Sequence, residues 1–104
     1  MIEKDFLENC DNTLQSIFER LESEDINSKL DVEYSDGILT IIIEESKKTY
    51  IINRHQATQK IWYSSPFSGA DYFSYDINSL KWLNSKAEEL FEKLFLELKN
   101  YIKN

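Results

Sequence analysis

The stretch LDVEYSDGILTIII, residues 30–43, decides the fold because it has the pattern of a β-hairpin. Leu30, Val32 and Tyr34 alternate with polar residues, which is the period of a strand that buries one face. The dipeptide Asp36-Gly37 is favoured in tight hairpin turns. The run ILTIII that follows is rich in the β-branched residues that strands prefer. The stretch therefore predicts two antiparallel strands joined by a short turn.

Further strand patterns follow the hairpin along the chain. Residues 49–54 (TYIINR) and 60–64 (KIWYS) are predicted strands, and residues 72–75 and 81–83 are weaker strand candidates. Between them, SSPFSG at residues 64–69 is the strongest loop signal in the chain. The sequence thus predicts an antiparallel sheet of five to six strands.

Two helical patterns flank the strands. Apolar residues recur every three or four positions from Phe6 to Leu21 before the hairpin, and from Ala87 to Ile102 after the last strand. Ser85 and Glu88 have the spacing of a capping box, which would begin the second helix. Because both helices need an apolar surface, we expect an α+β fold in one domain over residues 1–104. It would be a two-layer αβ sandwich with the N- and C-terminal helices packed on one face of the sheet.

The second face of this sheet would then be open, and its expected side chains are unusual. If Leu39, Ile41 and Ile43 point toward the helices, strict alternation turns Ile42 outward, and the same reasoning turns Ile51 and Trp62 outward. An exposed apolar patch suggests a binding partner. For Trp62, a half-buried sheet residue and an interface anchor remain equally open, whereas Trp82 is expected in the core.

Charge is distributed unevenly along the chain. Residues 1–36 hold 11 acidic and 3 basic residues, whereas residues 37–104 hold 8 acidic and 9 basic residues. Such a field attracts cations or a basic protein patch, and it disfavours nucleic acid. A single cysteine, an acidic N-terminus and the lack of a long apolar run favour a cytoplasmic protein that does not contact the membrane.

The carboxylates of the first helix form a candidate cation-binding surface. Glu8, Asp11, Glu19 and Glu22 recur at helical spacing, turned away from the apolar stripe. One cysteine and one histidine cannot build a zinc cage, and an EF-hand alignment fails at several ligand positions. Surface carboxylates suit hard cations and iron, with weak affinities of roughly 10⁻⁵ to 10⁻³ M. The residues alone leave open whether this surface binds ions or is merely solvated.

Catalytic motifs are not evident. His55 has no neighbouring nucleophile–base pair and is interpreted as a surface histidine, and Cys10 on the apolar helix face as a buried, inert thiol.

The runs LDVEYSDGILTI, TYIINR and KIWYSSPFSG, behind an acidic first helix, resemble the frataxin family in its bacterial branch. The resemblance extends from Asp5 to Tyr101. It implies weak binding of Fe²⁺ or Fe³⁺ at an acidic ridge, no organic cofactor, and a monomer in the absence of iron. It also implies that the protein binds a cysteine desulfurase and adjusts its rate during iron–sulfur cluster assembly, with the cluster scaffold protein as a further partner.

The family's site residues map onto this sequence in two groups. The metal-binding positions correspond to Asp5, Glu8, Asp11, Glu19, Glu22, Glu24, Asp25, Asp31 and Glu33. The partner-binding positions correspond to Glu19 and Glu22 on the ridge and to four residues of the open sheet face: Asn53, Arg54, Lys60 and Trp62. Lys29 interrupts an acidic run that is often denser in the family, which lowers the expected number of metal sites.

Three functions therefore remain as hypotheses. The leading one is a non-enzymatic, iron-binding regulator of the desulfurase. The alternatives are a ferroxidase or iron chaperone that delivers iron to the scaffold, and an acidic adaptor that never binds metal. A ferroxidase is disfavoured because the sequence contains no Glu-x-x-His motif of the di-iron proteins.

Overall fold

The computed structural model describes residues 1–102 and has six strands between two helices. A short 3₁₀ turn, Gln56–Thr58, lies between the third and fourth strands. The elements are α1 (Glu3–Glu24), β1 (Leu30–Ser35), β2 (Ile38–Ile43), β3 (Thr49–His55), β4 (Lys60–Ser65), β5 (Gly69–Asp76), β6 (Lys81–Leu83) and α2 (Leu90–Leu98). Neither helix within these residues is both long and apolar enough to cross a membrane. The last two residues of the predicted domain, 103 and 104, lie outside the described part.

The strands form one antiparallel sheet in sequence order, from β1 at one edge to β6 at the other. The predicted hairpin is confirmed: Leu30 pairs with Ile43, and Ser35 pairs with Ile38. Asp36 and Gly37 both have positive φ, at 50° and 75°, as the favoured two-residue hairpin turn requires. The sequence therefore specified the register of the two strands through the chemistry of their turn.

Both helices cover the same face of the sheet, which confirms the predicted two-layer α+β fold. The apolar stripe of α1 from Phe6 to Leu21 is fully buried, as are the inward side chains of β2, β3 and β4. Trp82 is 2% exposed, and its indole N–H donates to Thr13 Oγ1 at 3.0 Å, so β6 is joined to α1. Burying each large apolar side chain contributes about 1.5–3 kcal/mol to the free energy of folding. The contact between the helices and the sheet is therefore the main source of the fold's stability.

The predicted start of the second helix is wrong. The helix begins at Leu90, and the carboxylate of Glu89 caps it by accepting the N–H groups of Phe91 and Glu92, each at 2.9 Å. The preceding residues form a turn instead, because Asn84 Oδ1 accepts the N–H of Glu88 at 2.8 Å. The helix also ends at Leu98, although Ile102 is still buried beyond it. Strand β5 is longer than residues 72–75 and begins at Gly69.

Candidate functional site

An acidic ridge borders the β1 edge of the molecule. Its α1 residues project from the helix layer, whereas Asp31 and Glu33 point to the open face of β1, since Leu30, Val32 and Tyr34 turn toward the helices. The ridge therefore wraps around the edge strand instead of occupying one face. It comprises the nine predicted metal-binding residues, all exposed except the half-buried Glu24 and Asp25: Asp5, Glu8, Asp11, Glu19, Glu22, Glu24, Asp25, Asp31 and Glu33. Two of them lie away from the β1 edge: Asp5 lies beside Tyr75 and Ile77 at the β5–β6 end of the sheet, and Glu24 faces Phe95 of α2.

Several ridge carboxylates already have protein partners. Asp25 accepts the N–H groups of Lys29 and Leu30, at 2.8 and 2.9 Å, and so organises the connection from α1 to β1. Glu24 pairs with Arg20 at 2.8 Å. These two carboxylates are held by structural contacts, which makes them poorer ligands than the exposed members of the ridge.

The structure does not gather the ridge into a chelating site. Within residues 1–102, no three side chains of His, Cys, Asp or Glu lie close enough to hold one metal ion together. Isolated surface carboxylates can attract hydrated cations, but water must then supply most of the ligands. Cys10 is buried as predicted, and this burial raises the pKa of its thiol to about 12, opposed by the charge of Arg54. The thiol is enclosed by the core and lies apart from the exposed carboxylates of the ridge.

Arg54 does not lie where the resemblance suggested. On β3 it alternates with Asn53 and opposes the buried Ile61, so its side chain lies on the helix side of the sheet. Its guanidinium group covers Gly37: a Cβ added there would lie 2.5 Å from Nη1. The expectation that Arg54 shares the open face with Asn53 is therefore wrong, because neighbouring residues of a strand point in opposite directions.

Arg54 instead adds a positive charge beside the ridge. Tyr34 of β1 donates its hydroxyl to the carboxylate of Asp11 on α1. Burial and this hydrogen bond raise the pKa of Tyr34, while the nearby charge of Arg54 opposes the increase. The contact fixes the helix against the edge strand and keeps the two parts of the ridge together.

The open face carries a row of side chains across four strands, which we call the open-face row: Ile38, Asn53, Trp62 and Tyr72. Each member directly opposes the next across the sheet. The rings of Trp62 and Tyr72 lie 4.7 Å apart between centroids, edge to face. Ile38 is 45% exposed and Tyr72 44% exposed, so the row is a partly apolar surface without a covering layer.

The predicted positions of Asn53, Lys60 and Trp62 on the open face are confirmed, as are those of Ile42 and Ile51. Sequence reasoning missed two members of the row. Ile38 follows from the alternation of β2, but placing Tyr72 opposite Trp62 requires the register of β4 with β5, which the sequence pattern did not supply.

Two basic side chains lie beside the aromatic pair. Lys60 Nζ is 5.9 Å from the centre of the Tyr72 ring, and the exposed ring of His55 is 6.2 Å from it. His55 Nδ1 also lies 2.8 Å from Thr58 Oγ1. The open face therefore changes from acidic at β1 to aromatic and basic at β4 and β5.

Comparisons with known proteins agree with this geometry. The frataxin-like domain model matches residues 1–104. The chain is 35% identical, over 86% of its length and 81% of the relative's, to the iron-sulfur cluster assembly protein CyaY of Thioalkalivibrio sulfidiphilus. It spans only 28% to 54% of the length of the mitochondrial frataxins that it matches.

Solved structures show the same fold. Frataxin from Psychromonas ingrahamii superimposes with a TM-score of 0.78 over 99% of this chain and 97% of that one, at 22% identity. Trimeric frataxin from Saccharomyces cerevisiae, complexed with ferrous, superimposes with a TM-score of 0.67 at 31% identity, over 96% and 84% of the two chains. The chain belongs to the frataxin family, as the resemblance predicted.

Proposed function

We propose that this protein is a non-enzymatic regulator of iron–sulfur cluster assembly that binds the cysteine desulfurase and carries iron weakly on the acidic ridge. The observation that supports this most is the pairing of two different surfaces: an exposed carboxylate ridge at the β1 edge and an uncovered aromatic row on the adjoining sheet face. The relative in Thioalkalivibrio sulfidiphilus is named for cluster assembly, which agrees with the proposal.

Iron binding would be weak and dispersed. Nine carboxylates give the ridge its negative field, but within residues 1–102 no three of them converge on one point. Such a surface concentrates Fe²⁺ and Fe³⁺ near the protein without holding a single ion tightly. The yeast frataxin complexed with ferrous makes iron the first metal to test.

Desulfurase binding would divide between the two surfaces. The ridge would steer a basic patch of the desulfurase by long-range attraction, which mainly raises the association rate. The open-face row would supply the desolvated contact, with Trp62 as the side chain best suited to be an energetic anchor. The scaffold protein is a further candidate partner in the same assembly.

The ridge assignment is tested by reversing charge at Glu19 and Glu22 together. We expect the double lysine variant to bind the desulfurase at least tenfold more weakly at low salt, with a smaller difference at high salt, because salt screens exposed charges. The matched control reverses Glu45 and Glu92, which are exposed, lie outside the ridge and form no ion pair within residues 1–102. Equal affinities for the two double variants would contradict a special role for the ridge.

The open-face assignment is tested by Trp62→Ala. A hot-spot contribution of about 2 kcal/mol corresponds to roughly 30-fold weaker binding, mainly through faster dissociation. Ile77→Ala is the control, because Ile77 is 78% exposed in the turn between β5 and β6, away from the row. Binding that is unaffected by Trp62→Ala would exclude the row as the contact surface.

The absence of catalysis is part of the proposal. Fe²⁺ oxidation in air should be no faster with the protein than with buffer, and turnover lost on removing ridge carboxylates would favour a ferroxidase instead. Desulfurase-driven cluster assembly at two iron concentrations would then separate the remaining roles. An effect on sulfide production at both concentrations indicates desulfurase control, whereas an effect only on iron-limited assembly indicates iron delivery.

A further inference from the structure

Glu97, in the last turn of α2, accepts four side-chain hydroxyl groups. Its Oε1 atom accepts from Tyr50 at 2.8 Å, from Tyr63 at 3.0 Å and from Ser65 at 2.8 Å. Its Oε2 atom accepts from Ser68 at 2.8 Å. The side chain is only 16% exposed and lies apart from the acidic ridge. This carboxylate therefore joins α2 to β3, to β4 and to the turn that follows β4.

The site is built for an ionised carboxylate. Burial opposes the charge on Glu97, but the hydroxyl donors outweigh it and lower the pKa of the group. Lys93 Nζ lies 3.8 Å from Glu97 Oε2 and also 3.8 Å from Glu88 Oε1. A carboxylate accepts on both oxygens, whereas the amide of a glutamine would present a donor to one set of hydroxyls, and their O–H groups would have to rotate away.

Two of the four donors belong to the turn at residues 65–68, which joins β4 to β5. Ser65 Oγ also accepts the N–H groups of Phe67 and Ser68, each at 3.0 Å. Its own proton goes to Glu97, so the carboxylate fixes the hydroxyl that organises the turn. The turn connects β4, which carries Trp62, to β5, which carries Tyr72, and these two residues oppose each other on the open face.

We propose that Glu97 is a positioning residue for the open face: its carboxylate holds the β4–β5 turn and thereby sets how Trp62 packs against Tyr72. The helix layer would in this way control the shape of a surface on the opposite side of the sheet. The consequence for partner binding rests on the proposed function, but the link between Glu97 and the aromatic pair does not.

The test compares Glu97→Gln with Glu92→Gln, which makes the same charge change at an exposed position of the same helix. Fluorine NMR of protein labelled with 5-fluorotryptophan reports Trp62 and Trp82 separately, with the signals assigned from Trp62→Phe. We expect Glu97→Gln to shift or broaden the Trp62 signal and to leave that of Trp82 unchanged. We also expect amide exchange at Phe67 and Ser68 to be at least tenfold faster. Glu92→Gln should do neither.

A loss of stability alone would not produce this pattern, because it would not distinguish Trp62 from Trp82. The inference is overturned if Glu97→Gln keeps the wild-type Trp62 signal and the wild-type exchange at Phe67. If Glu97→Gln fails to fold, a second variant, Glu97→Asp, keeps the charge but withdraws the carboxylate from Ser65 and Ser68. It should accelerate exchange at Phe67, which Ser65 Oγ holds, and unchanged exchange in that variant would overturn the inference.

Desulfurase affinity separates this inference from the proposed function. If the open face is the contact surface, Glu97→Gln should weaken binding several-fold while Glu92→Gln does not. If Trp62→Ala leaves binding unchanged, the proposed contact surface fails, but the fluorine signal and the amide exchange still decide whether Glu97 positions the aromatic pair.

Discussion

Replacing Gly37 with alanine should destabilise the protein more than the same replacement at Gly69. Both glycines have a left-handed backbone, with φ of 75° and 83°. They differ in their surroundings. A Cβ at Gly37 would lie 2.5 Å from Arg54 Nη1 and 2.6 Å from Cζ, whereas a Cβ at Gly69 would have no neighbour within 4 Å.

The expected magnitudes follow from these two contributions. A left-handed backbone costs an alanine roughly 1–2 kcal/mol at either position. At Gly37 the guanidinium group of Arg54 must also move, which forfeits its packing against the hairpin and costs about 1 kcal/mol more. We therefore expect about 1–2 kcal/mol for Gly69→Ala and about 2–3 kcal/mol for Gly37→Ala. Each kcal/mol corresponds to a decrease in Tm of roughly 4–8 °C for a domain of this size.

Urea unfolding followed by tryptophan fluorescence measures both variants, and the Arg54→Ala background identifies the cause. Without the guanidinium group, Gly37→Ala should cost no more than Gly69→Ala does. Equal costs at the two glycines in the wild-type background would refute the assignment. So would an extra cost at Gly37 that persists when Arg54 is absent.

Three further predictions concern charged groups. Because the pKa of Glu97 is lowered by folding, its contribution to stability is complete above its ordinary value of 4.5 and is lost as the pH falls through the lower folded value. Thermal melts between pH 6 and pH 3 should therefore show a smaller loss of stability for Glu97→Gln than for the wild type. Asp25→Ala leaves two backbone N–H groups without their acceptor, so it should lower the free energy of unfolding in urea by about 1–2 kcal/mol. Glu22→Ala, an ordinary surface substitution, should lower it by less than about 0.5 kcal/mol. Millimolar Mn²⁺ should raise the Tm of the wild type by mass action but not that of the variant with lysine at Glu19 and Glu22, and equal shifts would place cation binding elsewhere.

The hairpin and the first helix could be predicted because their signals are local. The alternation from Leu30 to Ile43 and the Asp36-Gly37 turn determine register without any distant contact. The start of α2 could not be predicted in the same way. Asn84 satisfies the N–H groups of its neighbours, but its own amide is fixed by Asp71 at 2.8 Å, a residue on another strand. A capping-box pattern cannot compete with a turn that tertiary contacts hold in place.

The position of Arg54 shows a different limit. Its orientation was available from the sequence, because Ile52 points inward and Arg54 is two residues further on the same strand. Family resemblance grouped it with Asn53, although adjacent strand residues face opposite sides of a sheet. Where resemblance and alternation disagree about which face a side chain occupies, alternation has the direct geometric basis.

The role of Glu97 could not be predicted from the sequence, for a physical reason. Its four donors lie 29 to 47 residues away along the chain, on two strands and a turn. As a single glutamate on an amphipathic helix it has no distinguishing spacing, and only the packed sheet brings the hydroxyl groups to it. Sites assembled from distant serine and tyrosine hydroxyls carry no short motif.

The arrangement of the two surfaces bears on how a single partner could use both. Asp31 and Glu33 lie on β1, and Tyr72 lies on β5 of the same open face, four strand spacings or about 19 Å away. A contact of ordinary size buries about 800 Å² per partner, which corresponds to a patch roughly 30 Å across. One partner can therefore cover the aromatic pair and still reach the acidic edge, while the carboxylates of α1 stay outside the contact on the helix layer. The two surfaces should therefore affect different rate constants of partner binding. Charge reversal at Glu19 and Glu22 should lower mainly the association rate, and Trp62→Ala should raise mainly the dissociation rate. If both variants changed the same rate constant, the two surfaces would belong to one contact, and the ridge could not remain free for iron while the partner is bound.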